Sequence, residues 1–405
     1  MMNINKIELR SYELLFGTLL ISSILVGMFS PVLAFYLSLS LLVVFPTFFS
    51  NRYLRVYLSV FAIVCGCLIF ASRSYFQSMS DDFAHYYSAY QELLKGGSIA
   101  QYSQGIEFLI SLYFKITIIL FGELKPAALF FLVSFFSCFT FYVWLEKFGL
   151  EQLEETKRSL CIASCIGFFM FALSTQLMRQ MIATPFLLFS LSYGLRNIKG
   201  IIFMIFAIGG HLSSLPIYVV LKIFLSDNKR RQFITLGLFL FFGLLFSLLL
   251  SQLTIFFNIP VIGELAAKLQ YYNNIANRNS AEVGNTFLKY MFVMLAGFLL
   301  FGPKSDNFER IKKFFYFSCI SYLFLLPIPL LSSRIFLVMS AVGLGYFMFF
   351  AFYRMANIYR ILLILYFIVR VITLGPYYTD RMDGFDLWYS YPWYSTEAFY
   401  YIYAL

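Results

Sequence analysis

The run PAALFFLVSFFSCFTFYVWL, residues 126–145, carries no charged side chain across twenty positions. As a helix it would be about 30 Å long, the thickness of the hydrocarbon core of a bilayer. It does not alternate apolar and polar residues, as a strand of a membrane barrel would. Backbone amides in lipid must pair internally, so the run reads as a helix. Further apolar segments recur at about 13–29, 31–49, 55–72, 105–122, 159–176, 181–195, 200–222, 233–251, 286–302, 314–331, 335–352 and 358–374. With the first they make thirteen. The expectation is an all-α polytopic integral membrane protein with eleven to thirteen crossings. It forms one membrane domain over 1–405, with no internal repeat and no soluble domain.

Composition agrees. The 405 residues are 61% hydrophobic and 12% charged, against about 25% charged in soluble domains. The net charge of +10 does not point to nucleic acid, because the basic residues sit in short loops between spans. Cys65, Cys67, Cys138, Cys161, Cys165 and Cys319 lie inside apolar runs, without neighbouring His or acidic ligands, and read as small buried residues. Lys6, Arg10 and the apolar stretch to Phe29 resemble a signal peptide. The stretch is long and no small-residue cleavage site follows, so an uncleaved first span is expected. Pro31, Pro126, Pro303 and Pro376 stand at segment edges, where proline costs least.

Lys and Arg set the orientation. Arg52/Arg55, Lys222/Lys229/Arg230/Arg231, Lys304/Arg310/Lys312/Lys313 and Arg354/Arg360 are expected to be cytoplasmic. Stretches 73–104, 252–285 and the Tyr- and Trp-rich tail 375–405 then fall outside, with the tail along the outer surface. If all thirteen segments cross, loop 146–158 and Arg196/Lys199 are outside, against the rule. Making 105–122 and 200–222 broken or non-spanning returns them to the cytoplasmic side and is the favoured topology. The run from Gly209 to Pro216, with His211 inside it, contains enough helix-weakening residues for such a break.

Ionisable groups at membrane depth are costly, so they are where function is sought first. Arg179 can grip a phosphate or pyrophosphate through two parallel hydrogen bonds, or snorkel to lipid headgroups. His211 can be a base, an anion donor or a packing group. Arg334 can be a second anion ligand or an interfacial anchor. Asp82, Tyr86 and Tyr90 share one helix face, as do Asp81 and His85. Carboxylates and rings suit a sugar. Asp81, Asp82 and His85 could instead hold a cation, or simply start a solvated helix. Glu107 can cap the helix it opens, or face a cavity as base or sugar ligand. Lys115 and Lys125 read as interfacial. Lys268, Arg278 and Glu282 in the 252–285 stretch can contact an anionic or glycan substrate.

In order along the chain, Asp82-x3-Tyr86-x3-Tyr90, Gly105-x-Glu107, Arg179-Gln180-x-Ile182-Ala183, Lys199 and His211-x-Ser213-Ser214-Leu215 form a pattern. It resembles the EpsG/Wzy-type polysaccharide (O-antigen) polymerases of bacterial envelopes, over about residues 80–220. The resemblance implies a multi-span glycosyltransferase of the inner membrane, working on the periplasmic side without a cofactor. Its substrates would be undecaprenyl-pyrophosphate-linked oligosaccharide repeat units. Its partners would be a chain-length regulator, the flippase of the same pathway and membrane lipids. Arg179, His211, Glu107 and Asp82 are the candidate catalytic residues, and Gln180, Arg334, Tyr86, Tyr90, Asp81 and Arg278 the candidate substrate ligands. No metal ligand set is assigned. Which of Glu107, Asp82 and His211 is the base stays open. The alternatives are an O-antigen ligase, which shares the donor, a lipid-linked glycan flippase or other transporter, and a membrane acyltransferase built around His211.

Overall fold

The computed structural model describes residues 2–75, 81–99, 106–249, 281–305, 308–328, 331–378 and 386–405. Among them the chain is all-helical. The helices are α1 (Met2–Phe29), α2 (Pro31–Val44), α3 (Arg52–Ala71), α4 (Asp82–Leu94), α5 (Leu109–Phe121), α6 (Pro126–Trp144), α7 (Glu155–Gly167) and α8 (Leu173–Gln176). They continue with α9 (Met178–Tyr193), α10 (Ile198–Gly210), α11 (Ser214–Phe224), α12 (Lys229–Leu249), α13 (Ala281–Phe301), α14 (Glu309–Leu325), α15 (Leu331–Ile335), α16 (Leu344–Ala351) and α17 (Ala356–Leu374). Their starts follow local chemistry. Pro31 and Pro126 occupy first-turn positions, where the missing N–H costs nothing. Asn51 and Asn197 cap α3 and α10 with their side-chain oxygens.

Four helices are long and apolar enough to cross a membrane: Arg52–Ala71, Pro126–Gly149, Lys229–Leu248 and Tyr353–Leu374. Shorter apolar helices stand beside them, and the chain is a polytopic membrane protein. The thirteen segments do not map one to one onto crossings. Segment 105–122 yields α5, about 20 Å long and short of a full bilayer core. Segment 200–222 breaks into α10 and α11 at His211, whose backbone is extended. Segment 335–352 is interrupted at Gly343 between a π-helical turn and α16. Hydropathy cannot see these breaks, because apolar side chains continue through them.

The core is built where α2, α3, α6, α7, α16 and α17 meet around Leu39, Ile63, Cys165, Phe349 and Phe367, all buried. A Cβ on Gly345 would fall 2.1 Å from the Ser164 carbonyl oxygen, so α16 packs on α7 at backbone contact. All six cysteines are buried and free, as expected of small core residues. Arg55 is not a solvent-facing loop charge. It is buried, with Nε and Nη2 on the Glu146 carboxylate, in the turn that follows α6, at 2.8 and 3.0 Å, and Nη1 on the Phe49 carbonyl.

Residues 386–405 fold back over one end of the bundle. The Phe399 and Ser395 amides donate to the Met28 and Phe29 carbonyls, and the Tyr401 hydroxyl donates to Gly27. Tyr391 reaches the Leu68 carbonyl, and the Tyr389 and Ser390 amides reach that of Ser72. The tail thereby satisfies carbonyls that the last turns of α1 and α3 leave without intrahelical donors. Lys125 joins it by donating to the Tyr403 carbonyl.

Candidate functional site

The site gathers on the hairpin of α9 and α10. Gly194, at φ +74°, ends α9 and turns the chain so that α10 runs back along it. The two helices pack tightly at Gly210, where an added Cβ would meet the Ala183 side chain at 2.9 Å. Gly209 likewise seats α10 on the Phe108 ring, which a Cβ would meet at 2.6 Å. These two small residues bring the broken end of α10 against Arg179 on one side and Glu107 on the other.

Glu107 is the hub. Its Oε2 accepts from Arg179 Nη1 at 2.6 Å, while Oε1 lies 2.7 Å from His211 Nδ1 and accepts from the Leu212 amide at 2.9 Å. Glu107 does not cap the helix it precedes; it faces the cavity and accepts from the first amide after the His211 break. Arg179 Nε donates to the Tyr86 hydroxyl at 3.2 Å. The guanidinium is thus fixed on two atoms, with Nη2 lacking a protein partner among the described residues. The Arg179 side chain stays 43% exposed although Glu107 is 9% exposed. Glu107 and Tyr86 therefore hold the guanidinium while part of it stays open to the cavity.

These groups line a cavity of about 510 Å³ that also takes in Asp82, His85, Gln176, Gln180 and Arg334. Asp82 heads α4, outside the membrane-crossing helices. Burial pushes its carboxyl above the ordinary aspartate range, against the pull of Arg334 and His85. Glu107 lies before α5 and shifts the other way. Burial alone would raise it, but the Leu212 amide, Arg179 and His211 outweigh that and hold it below the ordinary glutamate value. The two carboxyls of the cavity are therefore shifted in opposite directions. Gln180 is 7% exposed. Its Nε2 lies 3.4 Å from Ser213 Oγ, and its Oε1 is buried with no partner among the described residues.

Seven of the sequence candidates, Asp82, Tyr86, Glu107, Arg179, Gln180, His211 and Arg334, meet at this cavity. Two do not. Tyr90 is fully buried, donating to the Gly122 carbonyl and packed on Phe114. Eight helical residues turn it about 80° away from Asp82, so the shared face does not hold over two turns. Asp81 is the N-cap of α4, not part of its face. Its Oδ1 accepts from the Phe83 amide, from Arg73 Nη2 at 3.0 Å and from Gln176 Nε2 at 2.8 Å. Asp81, Asp82 and His85 thus do not converge as a cation site, and among the described residues no such group of His, Cys, Asp and Glu does. Lys268 and Arg278 lie outside the described residues.

Arg73 and Gln176 escaped the sequence reading. Arg73 follows an apolar span directly and looks interfacial, yet it is 3% exposed and lies beside the Tyr75 and Phe130 rings. Gln176 ends α8 and Arg179 lies in α9, and the chain breaks between them at Leu177, so no helical spacing linked the two.

No curated protein and no solved structure matches the chain. The family model described as the EpsG family matches residues 58–392, most of the chain and every element of the cavity. By that match this chain belongs to the EpsG family.

Proposed function

We propose that the protein polymerises lipid-linked oligosaccharide repeat units at the bacterial inner membrane. A growing glycan would move from undecaprenyl pyrophosphate to the non-reducing end of another lipid-linked unit, on the periplasmic face. The observation that carries this reading is Glu107 bridging Arg179 and His211 in a cavity that also holds Asp82 and Arg334. Family membership supports a polysaccharide polymerase-like membrane enzyme.

In the proposed step the acceptor hydroxyl oxygen bonds to the anomeric carbon. The bond from that carbon to the phosphate oxygen breaks, and pyrophosphate leaves with the electron pair. The hydroxyl proton passes to the Asp82 carboxylate, whose raised proton affinity suits a base. Arg179 and Arg334 stabilise the charge growing on the leaving group, with no metal required. Glu107, already committed to three donors, orients Arg179 and His211 instead of taking the proton. A direct displacement of this kind inverts the anomeric centre. Tyr86 and Gln180 supply contacts for sugar, and a chain-length regulator and flippase act beside the enzyme in the same pathway.

The test is gel profiling of surface glycan in a deletion strain, complemented with wild type or with Arg179→Ala at matched protein level. The expected Arg179→Ala result is a ladder collapsed to one repeat unit. Loss of all surface glycan, single unit included, would favour a ligase or a flippase. A full ladder would remove Arg179 from the mechanism.

A further inference from the structure

A second cavity, of about 340 Å³, lies between α6, α9, α11, α14 and α16. Along α9 it is reached at Leu188–Ser192, about 14–20 Å from Arg179 and so toward the opposite end of that helix. Its floor is apolar, formed by Leu188, Leu221, Phe314 and Phe347, and Trp144 and Tyr346 flank it. Trp144 keeps its indole N–H on Ser192 Oγ at 2.9 Å, as an indole does between apolar and wet surroundings. An open, largely apolar crevice of this size in a membrane protein suits hydrocarbon.

Arg310 also lines the cavity, with a side chain 71% exposed. It and Lys313 face the same carboxylate, Asp227, at 3.8 and 3.9 Å. One acid against two cations leaves a surplus of positive charge there. An apolar slot topped by two basic groups that share a single acid is complementary to an anionic amphiphile.

We propose that this crevice binds an anionic phospholipid, with an acyl chain against Leu188, Leu221 and Phe314 and the phosphate at Arg310 and Lys313. The site is separate from the Glu107 cavity and does not depend on the polymerase reading.

Native mass spectrometry of the full chain in detergent tests it, with phosphatidylglycerol, phosphatidylcholine and glycerol phosphate as probes. Wild type is expected to retain phosphatidylglycerol, hold phosphatidylcholine more weakly and bind no glycerol phosphate. Arg310→Glu changes an exposed side chain and should weaken phosphatidylglycerol about fivefold or more, with the melting temperature unchanged. Leu191→Trp, which fills the cavity, should remove both lipids. Equal retention of the two lipids by wild type, or undiminished phosphatidylglycerol in Arg310→Glu, overturns the proposal. Glycerol phosphate binding as tightly as phosphatidylglycerol would overturn it as well, since the chain would then contribute nothing.

Discussion

Glu107 Oε1 stands 2.7 Å from His211 Nδ1, across more than a hundred residues of sequence, while the other oxygen of the same carboxylate holds Arg179. The pairing makes a glutamate that could have been a base into the fixed point of the cavity. Glu107→Gln keeps the shape but removes the charge that holds Arg179, His211 and the Leu212 amide. We expect transfer to fall about 100-fold, the usual cost of a catalytic group misplaced by an ångström. Protein level should hold, because Arg179 is half-exposed and can rehydrate. Transfer of a radiolabelled repeat unit in membranes measures it, and near-wild-type transfer would refute the positioning role.

Arg179→Lys should be little better than Arg179→Ala. Lysine offers a point charge and cannot contact Tyr86, Glu107 and an anion together from one planar group. Arg334→Ala should lower transfer by about 10²–10³-fold, the cost of one lost donor to developing charge. Equal activity of Arg179→Lys and wild type would mean that charge alone matters at this position.

As the proposed base, Asp82 should give the reaction an acid limb. A base works only when deprotonated, and burial raises this carboxyl above the 3.8 of an ordinary aspartate. Activity should therefore fall as pH drops through the raised value, at higher pH than an exposed aspartate would show. Asp82→Asn should abolish the limb along with most of the rate. Stability runs the opposite way. A folded-state value above the unfolded one means that stability is lost as pH rises, so Asp82→Asn should be neutral or slightly stabilising near pH 7. Glu107 is held below its unfolded value of 4.5, so its contribution is present above that value and is lost as pH falls through the folded one. A pH–rate profile with melting curves at pH 4 and 7 checks both signs.

Arg73 and Asp81, at 3% and 2% side-chain exposure, form a buried pair directly before the cavity aspartate. Removing one partner takes away the opposite charge while the other stays buried beside neutral hydrogen-bond partners, Thr175 for Arg73 and Gln176 for Asp81. Asp81→Ala should cost about 3–5 kcal/mol of stability. The double variant with Arg73→Met should recover part of it, and a thermal-melt cycle in detergent reads the coupling. Additive losses would show that the two charges do not depend on each other.

Gly210→Ala tests the helix approach that builds the site. The added methyl would meet the Ala183 side chain at 2.9 Å and its Cα at 3.2 Å, so α10 must shift and carry His211 with it. Activity should drop at least tenfold while the melting temperature falls only a few degrees. Wild-type activity would mean that the hairpin absorbs the shift away from His211.

How much of this was legible in the sequence follows from the range of the interactions. The apolar runs gave the helical membrane class, because burying a backbone in lipid leaves few options. The break at His211 was readable from Gly209, Gly210 and Ser213. Arg179, Glu107 and His211 stood out because charge in an apolar context is costly. That Glu107 bridges the other two was not readable, since helix packing sets it and no local spacing encodes it. Tyr90 misled because its spacing suits a short helix face but drifts out of line over two turns. Arg55 misled because an arginine at a span edge looks the same whether it meets water or Glu146.

The contacts between the α1 carbonyls and the tail also have a consequence in time. The Met28 carbonyl receives its donor from Phe399, some 370 residues later. At about 5–20 residues per second, roughly twenty seconds to over a minute of synthesis separates the two. Throughout that interval the end of the first helix has no tail to bond to. The bundle therefore cannot be finished one helix at a time as each enters the membrane, and its closure must wait for translation to reach the tail.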